Sequence, residues 1–204
     1  MTSSDAQFLP LAEVSEAARS LFDEDVAQVG FVMNISRLWA YQPEAMARLF
    51  DLMTMVTSAR PFTGRERGIL ITACASALRD SYCALAWGTK LARLAGPRVA
   101  AGILRGEDDA LSAAERAMAA WARRVARDPG GTSAGDVAAL REAGFGDADI
   151  FAMTVFVALR AAFAAVSDAL GARPDAEFRA KAPAAVLDAV TFGRPIDAGS
   201  SSGP

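Results

Sequence analysis

The stretch RDSYCALAWG, residues 79–88, sets a thiol, Cys83, one helical turn after Asp80 and one turn before Trp87. Residues three and four apart share a helix face, so a carboxylate, a thiol and an indole line up along one stripe. A cysteine near a helix N-terminus gains thiolate character from the partial positive charge there, and the thiolate is the nucleophile. Arg79 adds to that effect, while Asp80 pushes the thiol pKa the other way. Cys83 therefore reads either as a peroxide-reacting or ligand-contacting thiol or as a small buried apolar residue. Asp80 suits a general acid or base, and equally an N-cap. Trp87, on one stripe with Asp80, Cys83 and Lys90, either lines a pocket or packs in the core. Tyr82 packs, with its hydroxyl as a donor.

Three residues elsewhere bear on this stripe. Arg160 interrupts the apolar run from Ile150 to Val166 with a charge that must find a partner. It reads as a ligand for a substrate carboxylate or a partner of Asp80 or Glu66; the alternative is a snorkelling arginine at a surface or interface. Glu66 closes the pattern TGRE from Thr63, a capping box, which gives it a structural role beside any catalytic one. Cys74 is the second of the two cysteines. In one continuous helix it would lie about 13.5 Å along the axis from Cys83 and on the opposite face. Disulfides need Cα atoms within about 7 Å, so no bridge is expected, although a break near residue 80 changes the angle.

The elements that must hold these residues are helical throughout, because apolar residues recur at helical spacing and no alternating β-branched run occurs. Leu11 to Phe22 reads as a first amphipathic helix and Phe31 to Ala40 as a short second one. Pro43 suits the first position of a helix carrying the stripe Met46, Leu49, Phe50, Met53 and Val56. A helix from Thr63 to about Leu78 follows, then one capped by Asp80 or Ser81 and ending before Gly96. Ser112 to Glu115 opens a further capped helix. Ser133 starts a short one, Asp147 to Leu170 is long and apolar, and Gly171 stops it. A single helical domain over 1–192 and a flexible tail over 193–204 are expected, the tail because it is rich in Gly, Ser and Pro.

Composition narrows the function classes. A chain of 204 residues with 52% hydrophobic content has the material for one folded domain. Its net charge of −3 argues against a nucleic-acid binder. The absence of any histidine removes His-based triads, imidazole acid–base catalysis and His metal sites. No Walker A loop and no dinucleotide-binding glycine pattern occurs, and no cofactor or metal is expected. Two cysteines are too few for a disulfide scaffold, and MTSSDAQFLPLAEV has neither a basic nor an apolar leader region, so a cytoplasmic setting is expected. The long apolar helix approaches membrane-spanning length, but its central Arg160 favours a buried core helix and no membrane role.

Three segments in order carry a family resemblance: RERGI at 65–69, DSYC at 80–83 and LARLAG at 91–96. They resemble the AhpD-like, carboxymuconolactone decarboxylase superfamily, and within it the longer peroxidase-related branch. LSAAERA at 111–117, TSAGDV at 132–137, LREAGF at 140–145 and SDALG at 167–171 extend the likeness over most of residues 28–180. The resemblance implies an all-α, AhpD-like orthogonal bundle and a homo-oligomer, a dimer or a multiple of one. In the family a Cys-x-x-Cys pair at a helix start, with a His and a Glu as proton relay, forms a thiol peroxidase cycling through a disulfide. Here Asp80 stands where the first Cys belongs, Trp87 where the His belongs and Gly68 where the Glu belongs. Ala161 and Ala164, beside Arg160, stand where the branch often carries Asn. The resemblance therefore implies at most one-cysteine peroxide chemistry at Cys83 on a small-molecule substrate, with an external thiol as reductant. Two other functions are expected as alternatives. One is a cofactor-independent decarboxylase, isomerase or cyclase using Asp80, Arg160 and Tyr82. The other is a non-catalytic binding or assembly protein with a filled, dry space around Cys83.

Overall fold

A computed structural model describes residues 6–199. Among them the chain forms helices and turns and no strand, in agreement with the all-α expectation. The helices are α1 (Glu16–Val29), α2 (Asn34–Trp39), α3 (Pro43–Val56), α4 (Gly64–Leu78), α5 (Ser81–Ala95), α6 (Pro97–Arg105), α7 (Ala113–Arg127), α8 (Ala134–Glu142), α9 (Asp147–Ala169), α10 (Phe178–Lys181) and α11 (Ala184–Ala189). α4 lies at the centre, against α5, α6, α7 and α9. Its residues from Gly68 to Ala75 are all buried, as expected of a helix apolar on every side. Close approach to α5 requires Gly68: a Cβ there would stand 2.9 Å from Leu91 Cδ1.

Capping explains most boundaries. Thr63 and Glu66 form a capping box for α4, Ser112 and Glu115 one for α7, and Ser133 and Asp136 one for α8. Arg65 joins the first two boxes by a two-pronged bond to Glu115, at 2.5 and 3.2 Å. The first helix differs from expectation. It begins at Glu16 rather than Leu11 because Ser15 Oγ accepts the Ala18 N–H, and it runs to Val29, where Gly30 takes a φ of 87°. The preceding segment is extended, with Phe8 N–H donating to Leu170 O and Arg173 N–H to Ala6 O.

α9 is long and apolar enough to span a membrane by length and composition, yet its Ile150, Met153, Phe156, Val157, Arg160, Phe163, Ala164 and Ser167 are buried in the bundle. The seven residues 193–199, expected to be flexible, instead pack on the body; residues 200–204 of that expected tail lie outside the described residues. Ser81 Oγ donates to Arg194 O at 2.7 Å, Arg194 Nη2 to Asp168 O at 2.9 Å, and Asp197 N–H to Pro174 O at 2.7 Å. Gly193, at φ 73°, lies so close to the α4–α5 corner that a Cβ would sit 2.6 Å from Arg79 O and 2.8 Å from Ser81 Cβ. Gly193→Ala is therefore expected to destabilise the protein by about 2 kcal/mol, measured by urea unfolding. An unchanged midpoint would show that this contact constrains nothing.

Candidate functional site: a buried thiol void at the α4–α5 corner

The corner is built by two residues. Arg79 closes α4 in the left-handed region, at φ 60° and ψ 31°, and is the only non-glycine residue with positive φ among those described. Such a conformation satisfies the last carbonyls of a helix and reverses the chain. Asp80 then caps α5: its Oδ1 accepts the Cys83 N–H at 3.0 Å, and its own N–H donates to Ala75 O at 2.9 Å. Asp80 is 1% exposed, and its Oδ2 has no hydrogen-bond partner.

The turn brings Cys74 back toward Cys83. Both thiols line one void of about 10 Å³, together with Ile71, Ala75, Leu78, Asp80, Arg160 and Ala164. That is about the room needed by a single water molecule. The opposite-face placement of Cys74 applied to one continuous helix; the break at residues 79–80 changes the angle, and both cysteines line one void. Both cysteines are free thiols.

Arg160 reaches this void from α9. It is 4% exposed, and its Nη2 donates to Cys83 Sγ at 3.3 Å. The expected ion pair with Asp80 or Glu66 is not formed. Instead the guanidinium lies 5.0 Å from the Phe163 ring, 5.8 Å from Trp87 and 5.9 Å from Phe50, and its Nε is unpartnered. Trp87 and Phe50 also line a groove of about 740 Å³ between α1, α3 and α5, with Arg67 and Lys90 on its wall. The two rings therefore stand between the groove and the guanidinium. Trp87 serves both packing and lining, with Lys90 Nζ 4.7 Å from its ring.

Burial dominates the charges here. It pushes the Cys83 thiol well above its ordinary range; the Asp80 carboxylate pushes it the same way, and the Arg160 charge opposes both. Burial likewise carries Cys74 up to about 12. Asp80 is raised by burial against the bonds from Cys83 and the charge of Arg160, so it holds its proton more readily than a surface aspartate. At neutral pH the resting site contains thiols.

Two candidate residues stand apart from the void. Tyr82 points the other way, donating to Asp175 Oδ2 at 2.5 Å and accepting the Ile35 N–H at 3.2 Å. Glu66 accepts from Thr63 N–H at 2.9 Å and Arg60 Nη2 at 2.7 Å, and these bonds hold it below the usual glutamate range against the upward push of burial. No cluster of three or more Cys, Asp or Glu suited to hold a metal occurs among the described residues. Cys74 is the residue that sequence reasoning left unplaced. The break and the Asp80 cap are legible in the sequence, but the angle between the two helices, which decides where Cys74 lies, leaves no mark in local spacing.

No family model and no curated protein sequence matches this chain. Solved structures do match it. An uncharacterized peroxidase-related protein of Ralstonia eutropha JMP134 with an alkylhydroperoxidase AhpD core has a TM-score of 0.75 at 24% identity, over 86% of this chain and 96% of its own. A peroxidase-related protein of Silicibacter sp. TM1040 has a TM-score of 0.76 at 20% identity, over 89% and 98%. A variant of the debrominase Bmp8, in complex with 2,3,4-tribromopyrrole, has a TM-score of 0.69 at 15% identity, over 93% and 98%. The chain has the AhpD-like all-α fold.

Acidic groups around the corner set a pH dependence. Asp168 is raised to about 7, by burial first and the Asp80 charge second, and Asp175 to about 6 by burial. Both lie above the ordinary value of 3.8, so their contribution to stability is full below about 3.8 and is lost as the pH rises through 6 and 7. Glu115, lowered to about 2 by Arg65, acts in the opposite sense, and its contribution is lost as the pH falls below about 4.5. The melting temperature is therefore expected to peak near about pH 4, and Asp168→Asn to flatten the decline between about pH 4 and pH 7. Thermal unfolding across that range measures this; a decline equally steep in the variant would contradict it.

Proposed function

We propose that this protein reduces hydrogen peroxide or a small hydroperoxide through the single nucleophile Cys83, with an external thiol as the final reductant. The observation that carries the reading is the hydrogen bond from Arg160 Nη2 to Cys83 Sγ, made by a guanidinium without an ion-pair partner among the described residues. A sulfur so placed has a fixed positive charge ready for the thiolate, in a buried site. The likeness in fold to proteins described as peroxidase-related supports the same reading.

The steps follow from the groups present. Asp80 takes the Cys83 proton, and Arg160 stabilises the thiolate. The sulfur attacks one peroxide oxygen, the O–O bond breaks, and the leaving oxygen takes the proton back from Asp80. The products are Cys83 sulfenic acid and water or an alcohol. Two equivalents of external thiol restore the cysteine, giving a disulfide and water. The size of the void favours hydrogen peroxide over bulky hydroperoxides and leaves no room for an organic acid, which disfavours a decarboxylase or isomerase at this position. The converging Asp80, Arg160 and thiols also disfavour a dry, purely structural space.

Peroxide consumption with a small dithiol as reductant tests the reading. Cys83→Ser is expected to abolish it, and turnover equal to wild type would refute it. Asp80→Asn separates the two roles of the carboxylate, because Asn keeps the cap. Removing the negative charge is expected to make Cys83 thiolate absorbance at about 240 nm appear at lower pH, with about a tenfold larger thiolate fraction at a given pH, while loss of the proton donor slows peroxide consumption by at least about tenfold. Parallel changes in both quantities would remove Asp80 from the proton path.

A further inference from the structure

Cys74 has no part in the mechanism above, yet it is the only other thiol of the chain and it opens on the same void as Cys83. We infer that Cys74 is the resolving cysteine of this site, closing a disulfide with Cys83 across the α4–α5 corner once Cys83 has become a sulfenic acid. The inference rests on the peroxide reading of Cys83 and assigns the partner thiol that reading leaves external.

Geometry supports the pairing in three ways. Cys74 and Cys83 line the same void, which has room for about one water. The two helices approach closely, with Gly68 against Leu91, and are joined at the corner by Arg79 and Asp80, five residues after Cys74 and three before Cys83. Asp80 Oδ2 is buried, unpartnered and on the wall of the same void, placed to serve both sulfurs in turn. The arrangement replaces a pair of cysteines on one helix turn with a pair drawn from two helices.

The step balances without a further reagent. Asp80 takes the proton of Cys74, the Cys74 sulfur attacks the Cys83 sulfur, and the S–O bond of the sulfenic acid breaks. The departing hydroxide takes the proton from Asp80 and leaves as water. One S–S bond and one O–H bond replace one S–O bond and one S–H bond. An external dithiol then reduces the disulfide and is itself oxidised, so the cycle consumes one peroxide and one dithiol.

Peptide mapping reads the outcome directly, because trypsin cuts after Arg67, Arg79 and Lys90 and so separates the two cysteines. The reduced full-length protein is treated with stoichiometric hydrogen peroxide, then unfolded in urea containing excess dimedone, which reaches any sulfenic acid left unresolved, and digested without reductant. The expected result is a disulfide-linked pair of peptides 68–79 and 80–90 in the wild type. In Cys74→Ser the pair is absent and Cys83 carries dimedone. Cys74→Ala, which keeps the site apolar, serves if serine prevents folding. Dimedone on Cys83 of the wild type with no linked pair overturns the inference and leaves the peroxide reading standing. Two unmodified cysteines overturn both.

Discussion

Arg79 turns the chain back in the left-handed region at the end of α4, and Asp80 caps α5 in the next step. The position of every group around the void depends on this reversal. Without it Cys74 and Cys83 would lie along one rod on opposite faces; with it they share a wall with Asp80. The cap itself contributes about 1 kcal/mol. Burying Oδ2 without a partner costs about 1–3 kcal/mol. The carboxylate thus does not offset its own burial, and the packed helices around α4 hold it in place.

Arg160 shows the same imbalance on a larger scale. Most of the ion-paired arginines sit at the periphery, such as Arg65 with Glu115 and Arg123 with Asp108. Arg160 is buried among Phe50, Trp87 and Phe163 with only a sulfur to bond. Cation–π contacts give back about 0.5–2 kcal/mol each, against several kcal/mol for desolvating the guanidinium. Stability alone is a poor reason to keep a charge there, whereas chemistry that develops a negative sulfur is a good one. Two of these rings, Phe50 and Trp87, also line the groove between α1, α3 and α5, so they stand between the open surface and the guanidinium.

Much of this architecture was legible from residue types. The caps at Thr63, Ser112 and Ser133, the proline opening α3 and the glycine closing α9 are local signals, and each marks a helix end in the structure. Asp80 was legible as a cap for the same reason. The start of α1 was not, because apolar spacing from Leu11 onward resembles a helix until Ser15 competes with it. The site was only partly legible. Asp80, Cys83, Arg160 and Trp87 do converge, but the identity of Arg160's partner depends on packing among three helices, which no local pattern encodes. Cys74 could not be placed, because the angle at a helix break is a tertiary property. Tyr82 faces Asp175, more than ninety residues away, and a pairing of that range leaves no trace in spacing.

The strap formed by residues 192–197 has a consequence for how the protein comes into being. Ser81 and the carbonyl of Arg79 are held against Gly193 and Arg194, contributed more than a hundred residues later in the chain. During synthesis the central helices emerge and begin to pack while that brace is still inside the ribosome. The corner that aims Asp80 and Cys83 is therefore finished last, and until then its two thiols belong to a looser nascent intermediate. The burial that shields the two thiols in the finished molecule is thus a late acquisition of the folding chain.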